Sequence, residues 1–197
     1  METNKIICGN HLDILSKFQS NCIDLTVTSP PYDNLRDYKG YTFDFESLAK
    51  ELFRVTKVGG VVVWVVGDAT IDGSETGTSF KQALYFKEIG FNLHDTMIWE
   101  KQNPTPQAKQ FRYWNCFEYM FIFSKGKIKK FNPLQVMTKD GGKLKTASLK
   151  QITKGNERKI KTYISNIFRI KKNIWAISVG GKTTNHPAIF PEKLAHD

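Results

Sequence analysis

The run Val61-Val-Val-Trp-Val-Val66 constrains the fold more than any other stretch of the chain. It is almost purely β-branched, with no polar interruption, which suits a central strand covered on both faces as in a parallel sheet. It is also the longest strongly apolar stretch, far short of the roughly 20 residues needed to cross a bilayer. Gly59-Gly60 stand before it, closing an amphipathic helix marked by Leu48, Leu52 and Phe53. Nearer the amino terminus, Lys5 to Cys8 is short and β-prone and breaks at Gly9-Asn10. Leu12, Leu15 and Phe18 then recur at helical spacing, and Ile23 to Thr28 reads as a second strand stopped by Ser29-Pro30-Pro31. After the central run, residues 67–79 read as a Gly/Ser/Thr loop and a helix is predicted from about Phe80 to Ile89, ending at Gly90. Leu93 to Trp99 and Phe117 to Phe123 read as strands, with only the proline-containing segment Lys101 to Tyr113 between them. Asn173 to Val179 reads as one more strand, and Asn185 to Asp197 as a turn leading into a helix. The expectation is an α/β fold, a mostly parallel sheet with an antiparallel hairpin. At 197 residues this is one domain, or one domain with a large insertion.

Charge divides the chain. Lys and Arg number 29 against 19 Asp and Glu, a formal +10. Residues 125–172 hold 15 basic and 2 acidic residues, whereas the remainder holds 14 and 17, a net −3. A positive excess confined to one segment points to a polyanionic partner, nucleic acid first, against the plainer reading of a solvated lysine face. The start, METNKIICGN, lacks the charged-then-apolar plan of a secretory signal, and no membrane partner is expected. Cys8, Cys22 and Cys116 form no CxxC pair and read as reduced thiols of a cytoplasmic protein. None of the four histidines has a metal-binding neighbour, so no metal is assigned.

Ser29-Pro30-Pro31-Tyr32 sits at the carboxyl end of a predicted buried strand, the edge where open α/β sheets bind ligands. Two prolines stiffen the turn and remove two backbone donors. The carbonyls they leave, with the serine hydroxyl, accept hydrogen bonds from an amino group. Tyr32 offers a face to a flat ring. An exocyclic base amine needs this set, although the same residues also make an ordinary turn.

The context is more specific. With Asp24-Leu-Thr-Val-Thr-Ser-Pro-Pro-Tyr32, Val58-Gly-Gly-Val-Val-Val-Trp-Val-Val-Gly-Asp68, Gly90 to Lys101, Asn115 to Lys125, Trp175 and the block His186-Pro-Ala-Ile-Phe-Pro-Glu-Lys-Leu194, the sequence resembles the S-adenosylmethionine-dependent amino-methyltransferases of DNA. The order of the blocks resembles the permuted arrangement of the beta class. That resemblance implies a Rossmann-like methyltransferase fold in circularly permuted order. Residues 1–124 would form the catalytic core and 125–172 a basic target-recognition insertion. Residues 173–197 would return to the core and begin the cofactor-binding region. It further implies S-adenosylmethionine as cofactor, double-stranded DNA as substrate and service beside a restriction enzyme. The target base would be flipped out of the duplex, with Tyr32 replacing its lost stacking. The family's glycine-rich cofactor loop is not found, since Gly59-Gly60, Gly141-Gly142 and Gly180-Gly181 lack its spacing. A truncated or split enzyme is therefore expected, with weak cofactor binding and a bare edge on the strand ending at Ser29. Such an edge invites self-association or a complementing chain carrying the loop.

Residue by residue, the resemblance makes Ser29, Pro30, Pro31 and Tyr32 catalytic. Within the family a leading serine goes more often with cytosine N4; adenine N6, an RNA substrate and a catalytically silent DNA- or partner-binding remnant remain alternatives. No covalent bond to the base is needed, so no cysteine is given a role. Asn10 stands where the family commonly has an aspartate that holds the cofactor's adenine; a plain helix cap explains it equally. His186, Pro187 and Phe190 match the block lining the methionine end of the cofactor, against an ordinary surface turn. Arg112, Asn115 and Glu118 fall near the base pocket, where a strand-edge salt bridge is the other explanation. Arg112, Lys143, Lys145, Lys150 and Lys154 are the expected DNA contacts, and Trp64 and Trp99 are expected in the core.

Overall fold

The computed structural model describes residues 4–31, 33, 43–104, 111–149, 159–179 and 190–196. The chain forms two compact units, Met1–Phe131 with Asn173–Asp197, and Asn132–Lys172.

In the larger unit a short helix α1 (His11–Leu15) precedes strand β1 (Ile23–Thr28), helix α2 (Phe45–Val55) and strand β2 (Thr56–Val66). A small hairpin, β3 (Thr70–Ile71) and β4 (Ser74–Glu75), leads to α3 (Thr78–Glu88), β5 (Asn92–Lys101) and β6 (Phe117–Ser124). The smaller unit holds β7 (Gln135–Met137), β8 (Leu144–Leu149), β9 (Lys159–Ile164) and β10 (Phe168–Ile170). The chain then returns as β11 (Ile174–Ile177) and α4 (Glu192–His196). The main sheet has the order β1-β2-β6-β5-β11. β1 with β2, and β5 with β11, are parallel, while β6 runs against both its neighbours, so the other four strands share one direction. The mostly parallel sheet with its β5–β6 hairpin is as expected.

Local chemistry explains the turning points. Asp44 caps α2 by accepting from the Ser47 N–H, and Leu48, Ala49, Leu52 and Val55 are buried. Thr56 ends that helix and starts β2 at once, its hydroxyl donating to the Leu52 carbonyl at 2.6 Å. At Gly60 a Cβ would sit 3.0 Å from the Asp24 carbonyl oxygen of β1, tighter than an ordinary contact, so glycine eases the close approach of β1 to β2. Along β2, Val62, Trp64 and Val66 enter one core with Leu52, Phe86, Phe91, Phe121 and Phe123. Val65 enters a second core with Trp99, Met120, Ile177 and Leu194. Burial on both faces is thus strongest at the carboxyl end of β2. Trp64 and Trp99 are core residues, as expected.

Several local expectations need correcting. Lys5 to Cys8 pairs with no strand among the described residues, and Ile6 and Ile7 are exposed; β-propensity without a sheet to join does not make a strand. The first helix is only five residues long and buries none of them. The loop 67–79 contains the β3–β4 hairpin, turning at Asp72-Gly73, both with positive φ; Asp-Gly is a hairpin signal that the surrounding Ser and Thr concealed. α3 starts at Thr78, two residues before the expected Phe80, and β11 is shorter than Asn173 to Val179. Of the final expected turn and helix, 192–196 are helical, and 185–189 lie outside the described residues. The basic segment, which shows no strong core pattern in sequence, forms antiparallel pairs β7–β10 and β8–β9. Residues 125–131 go with the larger unit, and the smaller one begins at Asn132. Among the described residues no strand pairs with the outer side of β1, whose Leu25 and Val27 are exposed. No helix of the described residues is long and apolar enough to cross a membrane.

Candidate active site

Because β1, β2, β5 and β11 point the same way, their carboxyl ends meet one edge of the sheet, where β6 begins. Thr28, the last residue of β1, lies in register with Trp64, so the turn that follows stands beside the end of β2. In that turn Ser29 is exposed, Pro30 buried and Pro31 half-buried; Tyr32 lies outside the described residues. Asp33 comes next, in the left-handed region with φ 54°. Its carboxylate accepts from the Ala69 N–H at 2.9 Å and from the hydroxyls of Thr76 and Thr78. Burial favours the neutral acid, but these donors and the Lys81 charge outweigh it and hold the carboxyl below its ordinary 3.8.

Asp68, just past β2, has a parallel task. Its carboxylate accepts from the Ser79 N–H at 2.9 Å and from the Ser79 hydroxyl. The N-cap of α3 is Gly77, which supplies no side-chain cap, so Asp68 satisfies an orphan amide of the first turn from outside the helix. Two carboxylates thus meet the amino end of α3, where the helix dipole favours negative charge. The Thr76 hydroxyl is also 3.3 Å from Asp68, but its single proton goes to Asp33. Tyr119, opposite Val66, faces this group; burial and the charges of Asp68 and Glu75 push its phenol above the ordinary 10.0. Arg112 braces the β3–β4 hairpin, donating to the Thr70 hydroxyl at 2.9 Å and the Gly73 carbonyl at 2.7 Å. At the β5 end, the Trp99 indole donates to the Ile177 carbonyl at 2.8 Å, and the Val179 N–H donates to Asn103 Oδ1 at 2.8 Å.

Residues 23–197 match the family model described as DNA methylase, the N6/N4 methyltransferases. The chain belongs to the N6/N4 DNA methylase family. It is 55% identical over 190 residues to the orphan methyltransferase M.BamHII of Bacillus amyloliquefaciens, an alignment covering 89% of this chain and 69% of that one. Its fold is similar to that of the PvuII cytosine-N4-specific DNA methyltransferase, with a TM-score of 0.63 and 21% identity over 94% of this chain and 65% of the other. It is also similar to TTHA0409 of Thermus thermophilus, classed as a DNA modification methylase and solved with S-adenosyl-L-methionine. There the TM-score is 0.50 and the identity 26%, covering 63% of this chain and 54% of that one. The chain therefore spans between half and two thirds of the length of these two solved relatives. Its Rossmann-like sheet is the family's.

The remaining expected site residues of this DNA methylase are distributed as follows. Asn10 caps α1, its Oδ1 accepting from the Leu12 N–H at 2.9 Å. Phe190 is half-buried against the second core, and His186 and Pro187 lie outside the described residues. Glu118 is buried and paired with Lys101 at 2.6 Å, which is the strand-edge salt bridge; Asn115 is exposed. Lys143 and Lys145, in the smaller unit, both reach the Asp140 carboxylate, at 3.0 and 3.3 Å. Lys150 and Lys154 lie outside the described residues. Sequence reasoning missed Asp33, Asp68, Thr76, Thr78 and Ser79. A signal existed in the acids placed just after two predicted strands, ahead of a helix whose N-cap is a glycine with no side chain to offer.

Proposed function

We propose that this chain is the catalytic and target-reading portion of a site-specific DNA methyltransferase, acting on the N4 amine of cytosine in double-stranded DNA. The supporting observation is Ser29-Pro30-Pro31 closing β1 on the ligand-binding edge of the sheet, in a DNA methylase family member. Ser29 at the head of the turn favours cytosine over adenine within the family. The Pro30 carbonyl and the Ser29 hydroxyl accept hydrogen bonds from the amine and direct the nitrogen lone pair out of the ring plane. Tyr32 stacks on the flipped base. The smaller unit, centred in the basic segment, engages the phosphates of the duplex through Lys143, Lys145, Lys150 and Lys154.

S-adenosylmethionine supplies, when bound, an electrophilic methyl group on a sulfonium. Two described residues fit that group. Asn10 Oδ1 uses one lone pair on the Leu12 N–H, and a carbonyl oxygen has a second for an adenine amine. Phe190, packed against the second core, is the kind of aromatic side chain that attracts a sulfonium cation. His186 and Pro187 would join Phe190 at the methionine end. The base itself is held by the turn after β1.

The test is methylation of unmodified plasmid DNA by the purified chain, followed by hydrolysis and mass analysis of the nucleosides. With S-adenosylmethionine supplied at concentrations high enough to offset weak cofactor binding, N4-methylcytosine is expected. N6-methyladenine alone would overturn the cytosine assignment, and the absence of any methylated base would overturn the enzymatic reading.

A further inference from the structure

We propose that Asp33 is a positioning residue for methyl transfer, locking the turn after β1 to the loop after β2 so that Ser29 and the Pro30 carbonyl are fixed before a base arrives. The inference rests on the functional reading above. Asp33 follows Pro30 by three positions, and its backbone takes up a left-handed conformation in which Asp is tolerated better than most residues. Its donors, the Ala69 amide and the Thr76 and Thr78 hydroxyls, all belong to the stretch from 69 to 78. That stretch is itself anchored at both ends. Asp68 grips Ser79 at the start of α3, and Arg112 holds Thr70 and Gly73 in the hairpin. A continuous set of hydrogen bonds thus joins the β1 turn, the β2–α3 loop and the segment before β6.

Both oxygens of the Asp33 carboxylate are engaged by these donors, Oδ1 by Thr78 and Oδ2 by Ala69 and Thr76. Asp33 is therefore assigned to geometry and not to chemistry. A tie that merely held the fold together would have no need of a position next to the amine-binding turn. Preorganisation of that turn is worth far more to the reaction rate than to stability, because small misplacements of a reacting group are costly.

The experiment compares wild type with Asp33→Ala, Asp33→Asn and the double variant Thr76→Val/Thr78→Val. Transfer of tritiated methyl from S-adenosylmethionine to plasmid DNA is followed alongside hydrogen exchange of the Thr28 and Ser29 amides, the last two before the prolines. Asp33→Ala is expected to lower kcat about a hundredfold, with KM for both substrates unchanged. Exchange at Thr28 and Ser29 should rise while that of β2 and β6 does not. Asp33→Asn, which keeps an acceptor oxygen, should recover part of the rate, and the double threonine variant should fall between. Three outcomes overturn the proposal: unchanged exchange at the turn, an unchanged kcat, or a rate loss fully accounted for by a smaller folded fraction. A wild-type chain that transfers no methyl group overturns the functional reading and this role with it, whereas a normal wild type with an indifferent Asp33→Ala overturns this role alone.

Discussion

Trp64 shows how much a single buried residue can be asked to do. Its ring lies 5.0 Å from Phe86 and 5.8 Å from Phe45, centroid to centroid, and its indole N–H donates to Gln82 at 2.8 Å inside the core. Trp64→Phe keeps most of the apolar contact but strands the Gln82 oxygen. A loss of roughly 1–3 kcal/mol is expected, the cost of an unpaired buried acceptor, read as a lower urea midpoint at constant slope. Tyr32→Ala is expected to act oppositely, leaving the midpoint alone while removing base stacking worth roughly 1–3 kcal/mol; methyl-transfer rates on plasmid DNA check it. The two kinds of residue also differ in how they announce themselves. Prolines fix φ wherever they stand, so Ser29-Pro30-Pro31 reads as a rigid turn from sequence alone. Asp33 gains its meaning only when residues 69–78 fold back onto it; its place after a strand end marks it in the sequence, but not what it binds.

Among the elements, α3 is held at its amino end by a tie that depends on pH. Burial raises the Asp33 pKa, but hydrogen bonds from Thr76, Thr78 and Ala69, with the Lys81 charge, bring it below 3.8. A carboxyl whose folded pKa is depressed stabilises the fold above its unfolded pKa, and that contribution vanishes as pH falls through the folded value. Between pH 5 and 8 the Asp33 contribution to the anchoring of α3 should therefore be constant. Replacing Thr76 and Thr78 by Val removes two lowering influences and leaves burial, so the acid loss should begin at higher pH; tryptophan fluorescence during acid titration measures the shift. Elements with a strong internal pattern were legible, as β2 shows with its run of valines and β5 and β6 with theirs. Those that depend on a partner were not. Lys5 to Cys8 has strand-like composition but joins no sheet among the described residues, whereas β7 to β10 pair despite lysines that blur any alternation.

For the whole molecule, the uneven charge sets the salt response. If about 5 to 8 cations of the basic segment meet phosphates, log affinity for DNA should fall against log salt with a slope of roughly −4.5 to −7. Asp140 tempers this by pairing with Lys143 and Lys145. Asp140→Asn should tighten binding and steepen the slope, while Lys143→Ala with Lys145→Ala should flatten it by roughly 0.9 per lysine. Fluorescence anisotropy across a salt series tests both, and a slope near zero would leave the lysines as a solvated face.

The split of the core into two clusters sets an order in time. Every buried member of the first cluster lies between Leu48 and Phe123, so that half of the interior has all its buried members before any of the smaller unit is made. The second cluster waits for Ile177 and Leu194. During synthesis from the amino terminus, Val65, Trp99 and Met120 have one another but lack Ile177 and Leu194 until the last stretch of chain emerges. For that interval the nascent protein carries a finished layer on one side of its sheet and a bare one on the other, and the basic unit is the insertion that prolongs the wait.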